Sequence, residues 1–319
     1  FDAPFEVIVA DGYSDDETWD VLRAHEQAGG YPYRLKLLRN SARGIPQALN
    51  LLVANAIGEY IVRIDGHSKI APNYLECIVA ALRMSGVDVV GPHIKYLPSD
   101  QTLEAEVIAA VLNSSFGNGG TPSRNYLLSA VPVKHAVMSC YRRKVWEKIG
   151  GYDENLISNE DFDFDYRANL AGFKVYAAPI PTFYPISRPN LLALARQRWR
   201  YGLAKAQLLR KFPKSLHIRQ LVPILALPGL VLAAYWPALL VGLGLVYLFI
   251  TIAVLMHSDL AQKVSGLGGW IKTVFIGISA AMIVHFIWSA GVWCGGLFHV
   301  RFPSRKRTFL GSAPRGKNY

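Results

Sequence analysis

Two stretches near the end of the chain constrain its fold more than any motif does. Residues 221–256 carry no Asp, Glu, Lys or Arg, and residues 270–298 carry one, Lys272. A helix crossing the hydrocarbon of a bilayer needs roughly 20 apolar residues. Buried helices of soluble proteins rarely stay uncharged for so long, so the second half of the chain is expected to sit in a membrane. Pro223, Pro228 and Pro237 interrupt the first stretch, which fits a broken or interfacial helix over 221–235. Two spans are favoured, roughly 236–256 and 270–297, with three crossings, which would put the C-terminus outside, left open beside them.

The net charge of +11 is arranged around these stretches. Lys205, Arg210, Lys211, Lys214 and Arg219 precede the first; Arg301, Arg305, Lys306, Arg307, Arg315 and Lys317 follow the last. Basic flanks favour the cytoplasmic side and an anionic lipid surface. Both flanks on one side require an even number of crossings. Because the charges hug apolar segments and form no aromatic-laced face, a nucleic-acid partner is excluded. Cys77, Cys140 and Cys294 lie far apart and match no disulfide framework or zinc spacing, as a reducing compartment allows.

Residues 1–200 read differently. FEVIVA (5–10) is a buried-strand run closed by Asp11-Gly12, followed by a helix over 15–27 and a strand over 34–38. Further along come a helix over 46–57, a strand over 59–64, a helix over 72–84 and a strand over 87–90. This alternation predicts an α/β fold, a Rossmann-like, mostly parallel sheet with flanking helices. Ligands of such sheets gather at the carboxyl ends of strands, where Asp11, Asn40 and Asp65 fall. The chain begins at Phe1, directly before a strand, so its sheet is expected to start at the second strand with the first missing. Residues 113–135 form a Gly-, Asn- and Ser-rich loop of functional length. Short helices are expected over 144–149 and 162–171, and a long basic helix over 190–212. The expected division is a catalytic domain over 1–212, a membrane region over 213–300 and a basic cytoplasmic tail over 301–319.

Three clusters carry chemistry. Asp65-Gly66-His67 presents a carboxylate and an imidazole two residues apart, a pair suited to a divalent cation (Mn²⁺ or Mg²⁺) held on a diphosphate. The same tripeptide also makes an ordinary polar turn. Asn159-Glu160-Asp161 offers a carboxylate able to take a proton from an attacking hydroxyl, and equally an acidic helix start. In RQRWRYG, Gln197, Arg200 and Tyr201 share one helical face, with Arg suited to phosphate. Asp163 and Asp165 are expected to face solvent or pair with Arg167, while His135 could meet an acceptor's diphosphate.

Read together, VADGYSDDET, RNSARGIPQALN, VRIDGHS, NEDFDFDYR and RQRWRYG resemble glycosyltransferase family 2 and its GT-A fold over roughly residues 5–205. SSFGNGG, KHAVM and GGYDENLISNED are similar to its succinoglycan-type exopolysaccharide glucosyltransferases. The resemblance implies that Asp11 reads the uracil or ribose end of the donor and that Arg43 lies on the nucleotide side. It puts Asp65 and His67 in the metal-binding DxD-like place and makes Asp161 the catalytic base. Donor contacts also fall to Gln197 and Arg200, and acceptor contacts to His135, Glu160 and Tyr201. His67 stands where the family carries a second Asp, and Tyr201 where processive synthases carry Trp, which favours adding a single sugar.

The implied activity is an inverting, metal-dependent hexosyl transfer from a UDP-sugar, foremost UDP-glucose, to a polyprenyl-diphosphate-linked saccharide at the bacterial cytoplasmic membrane. Two readings stay open beside it: a polyprenyl-phosphate sugar transferase, and a non-enzymatic membrane scaffold with a degenerate GT-A domain.

Overall fold

The computed structural model describes residues 3–84, 86–124, 127–180 and 182–297. The basic tail expected over 301–319 lies outside the described residues. The first unit comprises β1 (Glu6–Asp11), α1 (Thr18–Ala28), β2 (Arg34–Arg39) and α2 (Ile45–Ala54, with Pro46 in its first turn). Next come β3 (Tyr60–Ile61), β4 (Ser68–Ile70), α3 (Tyr74–Arg83), β5 (Val89–Gly91), α4 (Leu103–Asn113) and α5 (Ser115–Asn118). Then follow β6 (Val131–Pro132), β7 (Cys140–Arg142), α6 (Arg143–Ile149), α7 (Glu160–Leu170), β8 (Val175–Ala177) and β9 (Phe183–Pro185). The apolar half follows the long α8 (Leu191–Lys211), whose Asn190 cap accepts from Ala193 N at 2.9 Å. It contains α9 (Ile218–Ala233), α10 (Pro237–Met256), α11 (Gly266–Met282) and α12 (Trp288–Leu297).

Strand pairing is mixed where a mostly parallel sheet was expected, with β1–β2 and β5–β8 parallel and the other pairings among the named strands antiparallel. β1 and β2 form a pair of their own, as do β4 and β9, and the central sheet runs β3-β7-β5-β8-β6. The expected strand over 59–64 shrinks to β3, and residues 62–65, with Arg63 and Asp65 among them, lie outside any strand.

Successive strand residues point to opposite faces, and both faces are covered. Val90 and Cys140 pack with Tyr74, Ile78 and Leu82 of α3. Their neighbours Val89 and Tyr141 pack with Val53 of α2 and Phe164 of α7. A further core joins the two halves of the chain: Val107, Ile108 and Val111 of α4 meet Leu194 of α8, Leu255 of α10 and Ala280 of α11.

α11 and α12 form one continuous helix through a π-helical turn at Ile283–Ile287. Such turns recur at functional sites, and here His285 ties the glycine-rich loop to the apolar half. Its Nδ1 meets the Tyr247 hydroxyl at 2.8 Å and its Nε2 the Phe116 carbonyl at 2.9 Å. α8 lies against α12 at backbone contact: a Cβ added to Gly202 would stand 2.3 Å from Trp288 O and 2.8 Å from Gly291 Cα. Small residues allow this approach.

Two helices are long and apolar enough to cross a membrane by length and composition, Pro237–Met256 (mean hydropathy 2.7) and Gly266–Leu297 (1.8). α9, with Pro223 and Pro228 inside it, is shorter. Val241, Leu245, Phe249, Ile271 and Phe275 each leave more than half of their surface uncovered. Apolar exposure on that scale marks a surface made for lipid or for another protein.

Candidate active site

Asp11 ends β1 and is buried. Arg39 Nη1 and Ser14 Oγ each donate to it at 2.6 Å, and the Arg39 guanidinium stacks 3.8 Å over Trp19. Burial works against its charge, but the Ser14 bonds and then Arg39 outweigh it and hold the carboxyl below the usual Asp range. Asn40 N donates to the Asp11 carbonyl at 2.7 Å, and Gly12 lies beside Arg43. Arg43 is exposed in the left-handed region (φ 56°), 6.0 Å from the Tyr13 ring. Asp11 and Arg43 thus form one corner. Among the described residues no hydrogen bond or ion pair joins them to Asp65.

The second corner is organised by a residue that sequence reasoning missed. Arg63 is buried and donates to Asp65 through Nε (2.9 Å) and Nη2 (3.4 Å); Nη2 also donates to Glu160 Oε1 at 3.1 Å. One guanidinium therefore links the Asp65 turn to the start of α7, 97 positions later. Burial and then the charge of Asp161 push the Glu160 carboxyl upward, against the pull of Arg63. Glu160, expected beside the acceptor, is engaged with Arg63.

Asn159, in the left-handed region (φ 62°), bends the chain into α7 and presents four carboxylates in six residues. Three are buried and engaged. Glu160 holds Arg63; Asp163 takes Arg167 Nε at 2.7 Å and Lys211 Nζ at 2.5 Å. Asp165 accepts from Ala136 N at 2.8 Å and faces His135 Nδ1 at 2.8 Å. The expectation that Asp163 and Asp165 face solvent is corrected: both are fully buried, and only Asp163 pairs with Arg167. Asp161 alone of the four keeps an open carboxylate, 23% exposed, with Phe162 N donating to its Oδ1 at 2.7 Å.

His135 sits between the last two acids, its Nε2 3.8 Å from Asp161 Oδ2. Burial opposes a charge on the ring, yet Asp161 and Asp165 hold its pKa above the ordinary value. The backbone that delivers it is strained, with Val137 at φ 41° and Met138 at φ 53°. Gly91 makes room for this segment, since a Cβ there would fall 1.5 Å from Ala136 O. Strain of this kind collects at functional sites.

From α8, Gln197 accepts from the Tyr201 hydroxyl and from Arg188 Nε and Nη2, each at 3.2 Å, with its amide oxygen facing them. Burial first, and then Tyr96, push Tyr201 up to about 12, and Asp161 adds to the rise. Tyr201 and the open carboxylate therefore share one electrostatic neighbourhood. Arg200 is exposed and pairs with neither Gln197 nor Tyr201; the guanidinium over the Tyr201 ring is that of Arg198, at 5.7 Å.

Among the described residues no group of three His, Cys, Asp or Glu could hold a metal ion. Asp65, 29% exposed, and the exposed His67 give one hard oxygen and one imidazole. That donor set fits an ion sharing its remaining ligands with a diphosphate. A cavity of about 660 Å³ between α4 and α10, lined by Tyr96, Glu106, Asn113, Phe249 and His257, touches none of Asp11, Asp65, Glu160 or Asp161. The candidate site is instead the side-chain cluster that links Arg63 and Asp65 to the start of α7 and His135.

Residues 60–294 match the family described as glycosyl transferase family group 2. Over 298 residues, covering 90% of this chain and 84% of the relative, 28% are identical to succinoglycan biosynthesis protein ExoA of Rhizobium meliloti (strain 1021). A Methanococcus voltae relative is 25% identical over 65% of each chain and is named a dolichyl N-acetyl-alpha-D-glucosaminyl phosphate 3-beta-D-2,3-diacetamido-2,3-dideoxy-beta-D-glucuronosyltransferase. Among solved structures, the mannosyltransferase PcManGT of Pyrobaculum calidifontis, in complex with GDP-Man and Mn²⁺, has a TM-score of 0.52. It is 19% identical and aligns over 87% of this chain and 76% of that one. The likeness shows a GT-A fold.

Proposed function

Because the chain belongs to glycosyl transferase family group 2 and is a glycosyltransferase, we propose that it moves a hexose, foremost glucose, from a UDP-sugar to a saccharide carried on polyprenyl diphosphate. Relatives in exopolysaccharide and lipid-linked glycan synthesis support the acceptor class. The two apolar helices support membrane association, with the catalytic part, residues 1–212, on the cytoplasmic face of a bacterial inner membrane.

The observation that carries the reading is the division of labour on α7. Glu160, Asp163 and Asp165 are spent on Arg63, Arg167 and His135, which leaves Asp161 to accept a proton. In the proposed reaction the acceptor hydroxyl gives its proton to Asp161 while its oxygen attacks the anomeric carbon. The bond from that carbon to the diphosphate breaks, UDP departs and the centre inverts. His135, held by Asp165, orients Asp161; Arg63 fixes the Asp65 turn against Glu160. Asp11 and Arg43 take the nucleoside end, Gln197 and Tyr201 border the diphosphate and acceptor, and exposed Arg200 supports charge on the leaving group. Asp65 and His67 would hold a divalent cation, which would supply further positive charge at the leaving group, and the Mn²⁺ in the mannosyltransferase complex supports this.

Membranes containing the full chain, offered a panel of radiolabelled nucleotide sugars, test the proposal. Label is expected to enter the extractable lipid fraction from a UDP-hexose. Label entering only from GDP-sugars, or appearing only as free sugar, would contradict it.

A further inference from the structure

Lys205 lies in the middle of α8, is 4% exposed, and its Nζ has no hydrogen-bond partner among the described residues. A buried ammonium without a counter-charge is costly and persists where something else supplies the missing anion. Its Nζ stands 4.7 Å over the ring of Phe162, which directly follows Asp161 and packs 5.3 Å from the His135 ring. The ammonium is thus aimed at the flank of the proposed acceptor side.

Other cations gather there. Arg219, in the first turn of α9, lies within electrostatic reach of Lys205, His217 and His135. His217 also feels Lys134. Burial and then Arg219 lower Lys205 to about 8. Beside this cluster α9 leaves Ile218 and Val222 at least three-quarters exposed. A buried unpartnered ammonium among further cations, with uncovered apolar side chains of α9 beside it, matches an amphiphile with an anionic head.

We propose that Lys134, Lys205, His217 and Arg219 form an anion site beside the carboxylates that takes the diphosphate of the lipid-linked acceptor. This rests on the transfer reading and adds where the lipid head is held. The site would set the distance from the membrane surface to Asp161 while leaving the donor corner at Asp11 untouched.

Full-length protein in detergent, titrated with farnesyl diphosphate, farnesol, inorganic diphosphate and UDP, tests the inference. Lys205→Met and Arg219→Gln are each expected to weaken farnesyl diphosphate binding about tenfold and to leave UDP binding within about twofold. Farnesol should bind no better to wild type than to either variant. Removing an unpartnered buried charge should also raise the unliganded Tm of Lys205→Met. Unchanged farnesyl diphosphate binding in both variants would overturn the inference. Equally tight inorganic diphosphate binding would overturn the lipid assignment. If the transfer reading itself fails, wild type shows no UDP binding, an outcome separate from these.

Discussion

Asp161→Asn is expected to lower the transfer rate by about 10²–10⁴-fold, the range for a lost general base. That corresponds to about 3–5 kcal/mol in the barrier. The fold should survive, because an Asn side-chain oxygen can still accept from Phe162 N at the helix start. UDP affinity should stay within about twofold, since Asp161 makes no contact with Asp11 or Arg43. The variant also separates the acceptor readings. A lipid phosphate acceptor is already ionised and needs little deprotonation, so a polyprenyl-phosphate transferase would keep most of its rate. Activity within about tenfold of wild type, measured with saturating donor, would sink Asp161 as the base.

Arg63→Met should produce the largest loss of stability. Arg63 is buried and its Nη2 reaches Glu160, itself 5% exposed. Removing one partner of a buried pair leaves the other charge uncompensated, at about 3–5 kcal/mol. Because the Glu160 pKa is already raised by burial and Asp161, the acid can take up a proton, and the lower end of that range applies. For a chain of this size, with an unfolding entropy of about 2 cal/mol/K per residue, that means a Tm lower by about 4–5 °C. Glu160→Gln combined with Arg63→Met should recover part of the loss, since the two changes touch one interaction. A single variant melting within a degree of wild type would show that Arg63 does not hold the two segments together.

How far the sequence disclosed this arrangement depended on the range of each interaction. Local patterns were legible: the uncharged runs gave α10 to within one residue and the α11–α12 helix except for its first turn, and Asn190 marked the start of α8. Asp11, Asp65 and Asp161 were legible as polar residues at strand ends and a helix start. Arg63 was not, because in VRIDGHS it reads as one charge in a strand, and its partner lies 97 positions away. The pairing of His135 with Asp165 was hidden for the same reason, since it is made across 30 positions by a strained turn. On α8, spacing put Gln197, Arg200 and Tyr201 on one face. The guanidinium over the tyrosine ring is that of Arg198, three residues earlier on the same helix, a neighbour that the same spacing also allowed.

The most direct test is a cryo-electron microscopy structure of the full chain in lipid nanodiscs with UDP and Mn²⁺. The account predicts the diphosphate beside Asp65 and His67, with the Asp161 carboxylate opening onto the same crevice about one hexose away. Nucleotide bound elsewhere, or Asp161 turned away from it, would contradict the account.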